Sequence, residues 1–402
     1  PALAELDAVA DELPPLFAVA ALRRRLDALG PIDLDGLPDA LLQRAATLLG
    51  ILAQSYWHCD PRPPQRLPAH LERAWSEVCR RMDRDKTFFS YVDGIVHNFR
   101  IPGTDGDYDP TSLRAQDLRL LVPTIDNAEE RVFYLVQVAA LMQSAPLVEA
   151  ATRLQECALA EDIAGAKALL IAVRDAVQRI ADVTLMTIDP NPAAATHVDP
   201  TVWTRTVANT FLPIRKGIPG PSGTASPLMH LMDVLVDRQA FDATIISRET
   251  LDLRHHFPRH WREFLAALGE VSLPAWIART GDRELAGLFA QTVLSYVGDA
   301  GFLGRHRLKV YGFLDTAFKI GRDATIGGFS QLLVDRTWDH VHRELGKMRG
   351  ERYGRFGGAA LTHLARAHHA EATPGDGPGD VQRVRLDIAG RGLRYRPGDR
   401  LG

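Results

Sequence analysis

One histidine lies on the apolar face of a predicted helix. In the stretch GFLGRHRLKVYGFLDTAFKIG (301–321), Leu303, His306, Val310 and Phe313 follow alternating spacings of three and four. These spacings place the four residues on one helical stripe, which should face the core. An inward histidine is either a core residue with a hydrogen-bonded ring or a ligand, since haem iron needs only one neutral imidazole in an apolar pocket. Periodicity alone leaves both interpretations open.

Apart from this histidine, few side chains are grouped as metal ligands are. The chain contains three scattered cysteines, which are Cys59, Cys79 and Cys157. Such a sparse set indicates neither a disulfide framework nor a zinc site, and it is typical of a reducing cytoplasm. The segment RHHFPRH (254–260) holds three histidines, but Pro258 interrupts the helical geometry that would bring His256 and His260 together. We expect no metal site there.

The overall composition excludes several classes of function. Of 402 residues, 46% are apolar and 24% are charged, and the formal net charge is -3. A nearly neutral chain has no electrostatic preference for nucleic acid or for an anionic membrane surface. No apolar run approaches the roughly 18 residues of a membrane span, and no signal peptide is visible. We therefore expect a cytoplasmic protein that binds neither nucleic acid nor membrane.

The elements that must position His306 are helices. Helical periodicity dominates the chain as far as residue 350, and strand patterns are nearly absent before residue 380. The predicted helices cover residues 16–30, 38–57, 128–160, 163–188, 226–237, 258–268, 283–298, 302–320 and 331–348. We predict an all-α fold with a small N-terminal helical subdomain (1–120) and a large helical domain (121–350).

The composition changes near the end of the chain. We predict a linker over 351–380, because HHAEATPGDGPGD (368–380) is rich in glycine and proline. In 381–402, apolar residues alternate, AGRG supplies a turn and LRYRPGD a second extended piece, so this segment predicts a β-hairpin. Because two strands cannot bury a core alone, we expect the truncated start of another domain.

Seven motifs occur in an order that resembles one family of haem enzymes. They are DKTFFSYVDGIVHNF (85–99), FYLVQVAALMQSA (133–145), VDPTVWTRTVANTF (198–211), PSGTASPLMHLMDVLVD (221–237), HHFPRHWREFLAAL (255–268), GDRELAGLFAQTVLSYVGDAGFLGRHRLKVYGFL (281–314) and IGG (326–328). The ordered set resembles the indoleamine 2,3-dioxygenases over roughly residues 15–350, and LPIRKGI (212–218) is similar to the second enzyme of pyrrolnitrin biosynthesis. The resemblance implies a large helical domain that binds haem b and an aromatic substrate.

The resemblance assigns roles on the proximal side of the haem. His306 matches the proximal iron ligand, and Asp233 matches an aspartate that supports haem binding. Arg215 and Arg305 are candidates to pair with the haem propionates, as arginine commonly pairs with carboxylates. The ordinary alternative for these three charged residues is a place on the protein surface.

On the distal side, the resemblance points to aromatic residues, a glutamine and a loop. The matching residues are Tyr91, Phe133, Gln137, Trp203, Ser222, Gly223 and Thr224. The three aromatic residues would surround the substrate ring, and the loop 222–224 would cover the haem edge and the substrate. Gln137 stands where the family often has a serine or histidine, and it could donate a hydrogen bond to oxygen or fill a polar hole. Core packing and a plain turn are the ordinary alternatives.

The sequence departs from the family at the substrate carboxylate. Ala208 occupies the position of the arginine that grips this group in the family. Because a bidentate arginine pair is the usual way to hold a carboxylate, its loss argues against tryptophan bound in the usual manner. Arg205 lies one turn earlier, on nearly the same face of a predicted helix, and could substitute. Arg215 is the other candidate.

The C-terminal segment VRLDIAGRGLRYRPGDRLG (384–402) resembles the opening of the FAD-binding domain of diflavin reductases. An ordinary hairpin is the alternative. The resemblance implies a fused or separate flavin reductase that uses FAD and NADPH. Such a partner would keep the haem iron reduced or supply electrons for monooxygenation.

Three functions are therefore open. The leading hypothesis is a haem-dependent dioxygenase that inserts O2 into an indole or tryptophan-like substrate and cleaves the indole 2,3-bond. A reductase-fed haem monooxygenase of an aromatic substrate is the alternative within the same class. The third is a non-catalytic haem protein that binds or senses oxygen, for which the missing arginine would be unimportant.

Overall fold

The computed structural model describes residues 3–103, 108–215, 218, 220–238, 251, 253–319, 321, 371–373 and 383–385. Its α-helices are α1 (Ala4–Asp11), α2 (Leu13–Ala18), α3 (Leu22–Asp27), α4 (Leu42–His58), α5 (Ala69–Arg81), α6 (Ala128–Gln143), α7 (Ala145–Ala160), α8 (Ile163–Arg179), α9 (Pro200–Arg205), α10 (Pro227–Leu235), α11 (Arg259–Leu268), α12 (Leu273–Thr280), α13 (Arg283–Val297) and α14 (Phe302–Lys319). The all-α prediction is confirmed. The predicted helix 331–348 and the IGG motif lie outside the described residues.

Two stretches that the sequence predicts as single helices each form two helices in the structure. The stretch 16–30 breaks at Ala20, whose φ of 51° is left-handed, between α2 and α3. A continuous helix would place Leu13 and Leu22 about 180° apart, because nine residues advance 900°. Both leucines are fully buried, so the break turns both toward one core. The stretch 128–160 breaks at Ser144, because Pro146 lacks the N–H that would continue α6.

The described strands are short. Strand β1 (Phe99–Arg100) pairs antiparallel with β2 (Arg119–Leu120), a ribbon that the sequence did not indicate. Near the C-terminus, β3 (Glu371–Thr373) pairs antiparallel with β4 (Arg383–Arg385), with Ala372 opposite Val384. The predicted β-hairpin segment is thus present, but the partner of β4 precedes it and falls within the predicted linker. The predicted AGRG turn lies outside the described residues.

The helices enclose two hydrophobic cores. The smaller core draws on residues 3–79 and includes the fully buried Trp75, with Phe89 and Val122 added from later in the chain. The larger core runs from Tyr91 to Leu303. Within it α8 packs between α7 and α13, and α14 packs against α9 and α13. The division at residue 120 and the linker stay predictions.

A buried ion pair fixes the chain where it passes between the cores. Arg84 makes two hydrogen bonds of 2.7 and 2.8 Å to the carboxylate of Asp93, and both side chains are buried. Gln43 and Ser90 also donate to this carboxylate. Although burial opposes ionisation, Arg84 holds the pKa of Asp93 below its ordinary value. The network anchors the π-helical turn Val92–Val96, which directly follows the predicted site residue Tyr91.

One stretch, Ala128–Ala160, is long and apolar enough to cross a membrane by length and composition alone. This differs from the expectation that no such stretch exists. The stretch comprises α6 and α7, and its apolar side chains, among them Leu135, Val138 and Leu154, belong to the larger core. Since core helices often meet the same criterion, the finding is weak evidence for a membrane span.

Candidate active site

His306 lies in the second turn of α14, deep in the protein. Burial lowers the pKa of its imidazole to about 4, so the ring is neutral at physiological pH. The residue is nevertheless only partly covered, although protein atoms surround the ring densely enough to disfavour its charge. No hydrogen bond joins the ring to another described residue, and its neighbour is Phe302, stacked in parallel with ring centres 6.4 Å apart. The expectation of a satisfied core histidine is therefore not met.

The other predicted proximal residue, Asp233, lies on α10 in a buried polar cluster. Both oxygens of its carboxylate accept hydrogen bonds of 2.9 Å from Arg238, and Oδ1 also accepts one of 2.6 Å from the Tyr296 hydroxyl. Tyr296 is fully buried and stacks on Phe302 at 6.2 Å. A continuous set of contacts thus runs from Asp233 through two rings to His306. Asp233 is not the surface charge that the ordinary alternative implied.

An aromatic cluster lies beside the histidine helix. The ring of Phe133 on α6 is 5.0 Å from that of Trp203 on α9 and 5.8 Å from that of Phe211. Trp203 in turn meets the edge of Phe313 at 5.1 Å. Phe313 is two turns after His306 on the same stripe of α14, so the cluster and the histidine share one side of that helix.

The local sequence positions Trp203 at this cluster. Asp199 caps α9 by accepting hydrogen bonds from the backbone N–H groups of Thr201 and Val202, and Pro200 occupies the first helical position. The helix therefore begins at a fixed residue and turns Trp203 inward. The indole N–H of Trp203 is buried and has no hydrogen-bond partner in the part of the chain that the structure describes. An unpaired buried donor is costly, and this one lies at the aromatic cluster, where it is free to donate to a bound acceptor.

The predicted loop and Gln137 lie together. A Cβ atom placed on Gly223 would be 3.8 Å from Gln137 Oε1, and nothing else lies within 4 Å of it. The amide nitrogen of Gln137 donates to the carbonyl of Phe133 at 3.1 Å, which leaves its oxygen toward the loop. Within the loop, Thr224 donates to the Ser222 hydroxyl oxygen from both its backbone N–H and its hydroxyl.

Tyr91 joins the same loop from the other side. Its hydroxyl interacts with the side chain of Ser226, which ends the loop and begins α10. Burial raises the pKa of Tyr91 well beyond its ordinary value, so the phenol stays protonated. The structure therefore brings together Tyr91, Gln137 and the 222–226 loop, and Gln137 places them next to Phe133.

The predicted arginines have a different placement. Arg205 is exposed at the end of α9, and Thr206 separates it from a short 3-10 helix, Val207–Phe211. The expectation that Arg205 shares a helical face with Ala208 is wrong, because no helix continues through both. Arg215 makes two hydrogen bonds to Glu72, and Arg305 pairs with Asp182 at 3.1 Å. Each of these two arginines already has a carboxylate partner within the protein.

Comparison with known proteins gives the family. The model of the indoleamine 2,3-dioxygenase family matches residues 3–208, which is more than half of the chain. The chain belongs to the indoleamine 2,3-dioxygenase family. This family consists of haem-dependent dioxygenases of the tryptophan or indole type. No curated protein matches the chain.

The matched part of this indoleamine 2,3-dioxygenase family member contains Tyr91, Phe133, Gln137 and Trp203 and ends at Ala208. The match therefore leaves the role of His306 untested. The donor chemistry nevertheless fits haem. Within the described ranges no group of three or more His, Cys, Asp or Glu side chains could hold a bare metal ion. A single neutral imidazole is sufficient for haem, because the macrocycle supplies the other ligands.

Several residues of the site were not assigned a role from the sequence, namely Phe211, His230, Arg238, Arg254, Tyr296, Phe302 and Phe313. Phe313 was detectable from its place on the stripe of His306. The partners of Asp233 were not, since Tyr296 lies 63 positions away along the chain and its burial pattern is that of an ordinary core residue.

Proposed function

We propose that this chain is a haem-dependent dioxygenase of an indole-type aromatic substrate, with His306 as the proximal ligand of the iron. The observation that carries the proposal is the state of His306, which is neutral, only partly covered and without a hydrogen-bond partner among the described residues. When bound, the haem would supply the activation of dioxygen.

The residues on the other side of the site would bind and orient the substrate. Phe133, Trp203 and Phe313 form an apolar surface that suits a planar ring, and edge-to-face contacts favour such a ring over a saturated one. These side chains also exclude water from the reacting atoms. Ser222, Thr224 and Gln137 supply polar groups next to Phe133 and could hold a proton or a hydrogen bond at the substrate N–H.

The unpaired indole N–H of Trp203 adds a preference for substrates with a hydrogen-bond acceptor. A donor that is buried in the free protein gains a full hydrogen bond when an acceptor arrives, because no protein partner is displaced. The chain places Ala208, fully buried, where the family carries the arginine for a carboxylate. We therefore propose that recognition relies on the aromatic surface and this N–H rather than on a carboxylate clamp.

Isotope labelling tests the reaction. The purified protein, loaded with haem and reduced, is supplied with 18O2 and either indole or tryptophan. The proposal predicts a ring-opened product that carries two labelled oxygen atoms, with no reductant consumed per turnover. A product with one labelled atom would contradict dioxygenation, and a stable oxygen complex without turnover of any indole would contradict the enzyme itself.

A monooxygenase fed by a flavin reductase is the second candidate. The observation that favours it is the C-terminal segment resembling the start of an FAD-binding domain, of which β4 is the described part. This reaction would consume two electrons per O2 and release one oxygen atom as water. The same labelling experiment distinguishes it, because one labelled atom per product and equimolar NADPH oxidation by an added flavin reductase would be found.

A further inference from the structure

His230 lies on α10 and is fully buried, between the 222–226 loop and the side chains of Arg254 and Phe257. Its Nε2 atom is 3.1 Å from the carbonyl oxygen of Thr224. Its Nδ1 atom is 3.1 Å from Nε of Arg254. The edge of Phe257 packs against the ring, with centres 4.8 Å apart. Both nitrogens of a buried imidazole are therefore in use.

These contacts determine where the proton of the ring is. The Nε–H group of Arg254 can only donate, so Nδ1 of His230 must accept. The proton is therefore on Nε2, which donates to Thr224. Burial lowers the pKa of His230 to about 4, although Asp233 opposes this effect, and the ring is neutral near pH 7. In this state the ring matches both of its partners.

The carbonyl that His230 holds belongs to the centre of the loop. Thr224 donates to the Ser222 hydroxyl oxygen at 3.0 Å through its own hydroxyl, and the Ala225 backbone N–H donates to the Ser222 carbonyl at 3.0 Å. Fixing the Thr224 backbone therefore also fixes the Ser222 and Thr224 hydroxyls relative to Gln137. No other described side chain forms a hydrogen bond to the Thr224 carbonyl.

We infer that His230 is a positioning residue, which holds the Ser222–Ser226 loop in the conformation that faces the substrate, and that Arg254 fixes the tautomer required for this. The inference rests on the proposed function in that the loop is taken to contact the substrate. His230 itself touches neither substrate nor haem in this account.

Three substitutions separate the role of the hydrogen bonds from that of the ring. In His230→Gln, the side-chain amide nitrogen can take the place of Nε2 and donate to Thr224. In His230→Phe, the volume is nearly kept and both hydrogen bonds are lost. In His230→Asn, the amide is one carbon shorter, so it can accept from Arg254 but cannot reach Thr224. The glutamine variant is thus the matched control for the other two.

Amide hydrogen exchange of the 222–226 loop is measured without substrate. We expect exchange about tenfold faster in His230→Phe and His230→Asn than in the wild type, as one lost buried hydrogen bond implies. The His230→Gln variant should remain within about threefold. With haem and indole added, the KM of the first two variants should rise about tenfold, with a smaller change in kcat and an unchanged Soret band, because the contacts of His306 are intact.

The outcomes are distinct. Wild-type exchange rates in folded His230→Phe or His230→Asn would overturn the inference, as would exchange in His230→Gln as fast as in the phenylalanine variant. If His230→Phe does not fold, the comparison of the asparagine and glutamine variants still decides. If the wild type turns over no indole, the proposed function fails, whereas the exchange rates still test the positioning.

Discussion

Neutralising Asp233 should destabilise the protein far more than a surface charge change would. In Asp233→Asn, the guanidinium of Arg238 loses the carboxylate that accepts two hydrogen bonds of 2.9 Å from it. Both side chains are mostly buried, with exposures of 8% for Asp233 and 16% for Arg238. Burial opposes the charge on Arg238, but the carboxylate outweighs this and raises the pKa of Arg238. Breaking a buried pair from one side costs about 3–5 kcal/mol, because a buried charge stays uncompensated.

Two further variants separate the contribution of the Tyr296 hydroxyl to this cost from the contribution of the uncompensated charge. Tyr296→Phe removes only the hydroxyl, whose single proton is donated to Asp233 at 2.6 Å with the Met229 carbonyl 3.1 Å away, and should cost about 1.5–3 kcal/mol. The double variant Asp233→Leu/Arg238→Met removes both charges, so it should cost less than Asp233→Asn alone.

The free energy of unfolding, measured in urea by far-UV circular dichroism, is the quantity compared. An Asp233→Asn variant within about 1 kcal/mol of the wild type would refute the reasoning, since that is the range of an exposed pair. The single variants Asp233→Leu and Arg238→Met complete the double-mutant cycle, and a double variant whose cost equals the sum of these two would equally contradict the coupling.

Further predictions concern the substrate side and pH. Trp203→Phe keeps the aromatic contacts and removes the unpaired N–H, so the KM for a substrate with an acceptor should rise about tenfold while the stability changes little; an unchanged KM would contradict the role of the N–H. Gly223→Ala adds a Cβ atom that meets only Gln137 Oε1, at an ordinary contact distance of 3.8 Å, and should weaken substrate binding without lowering the melting temperature. In the haem-free protein, burial lowers the pKa values of His230, His256 and His306 to about 4, below the value of about 6.5 in an unfolded chain. Unfolding then takes up protons, so the stability that these neutral rings give is complete above pH 6.5 and is lost toward pH 4, with a slope of up to about 4.1 kcal/mol per pH unit from the three rings. His256→Gln should lower that slope by about a third, and an unchanged slope would show that His256 does not stay neutral in the folded protein.

The helical architecture was predictable because apolar periodicity reports burial directly. The predicted helices 163–188 and 283–298 correspond to α8 with its π-helical continuation and to α13. The break at Ala20 was not predictable, because residues 16–29 contain neither glycine nor proline. The packing of Leu13 and Leu22 decides where the helix ends. Tertiary packing there overrides local propensity.

Those parts of the candidate site that depend on the spacing of residues within one helix were predictable. The stripe of α14 correctly placed His306 inward, and the motif order indicated Gln137 and Gly223, which the structure places side by side. What the sequence could not supply is pairing over long separations, such as His230 with Arg254. Such pairs depend on how separate elements pack against each other, and the periodicity of a sequence contains no information on that packing.

The most direct test of the account is a haem titration followed by the Soret absorption band. It compares the wild type, His306→Ala, and His256→Ala as a control, because His256 is another partly covered histidine, whose ring packs on Phe88 at 3.9 Å. The account predicts one haem per chain and the same band for the wild type and the control. It predicts that His306→Ala loses the histidine-ligated band and regains it when imidazole is added. A wild-type band in His306→Ala without imidazole would show that His306 is not the ligand of the haem iron.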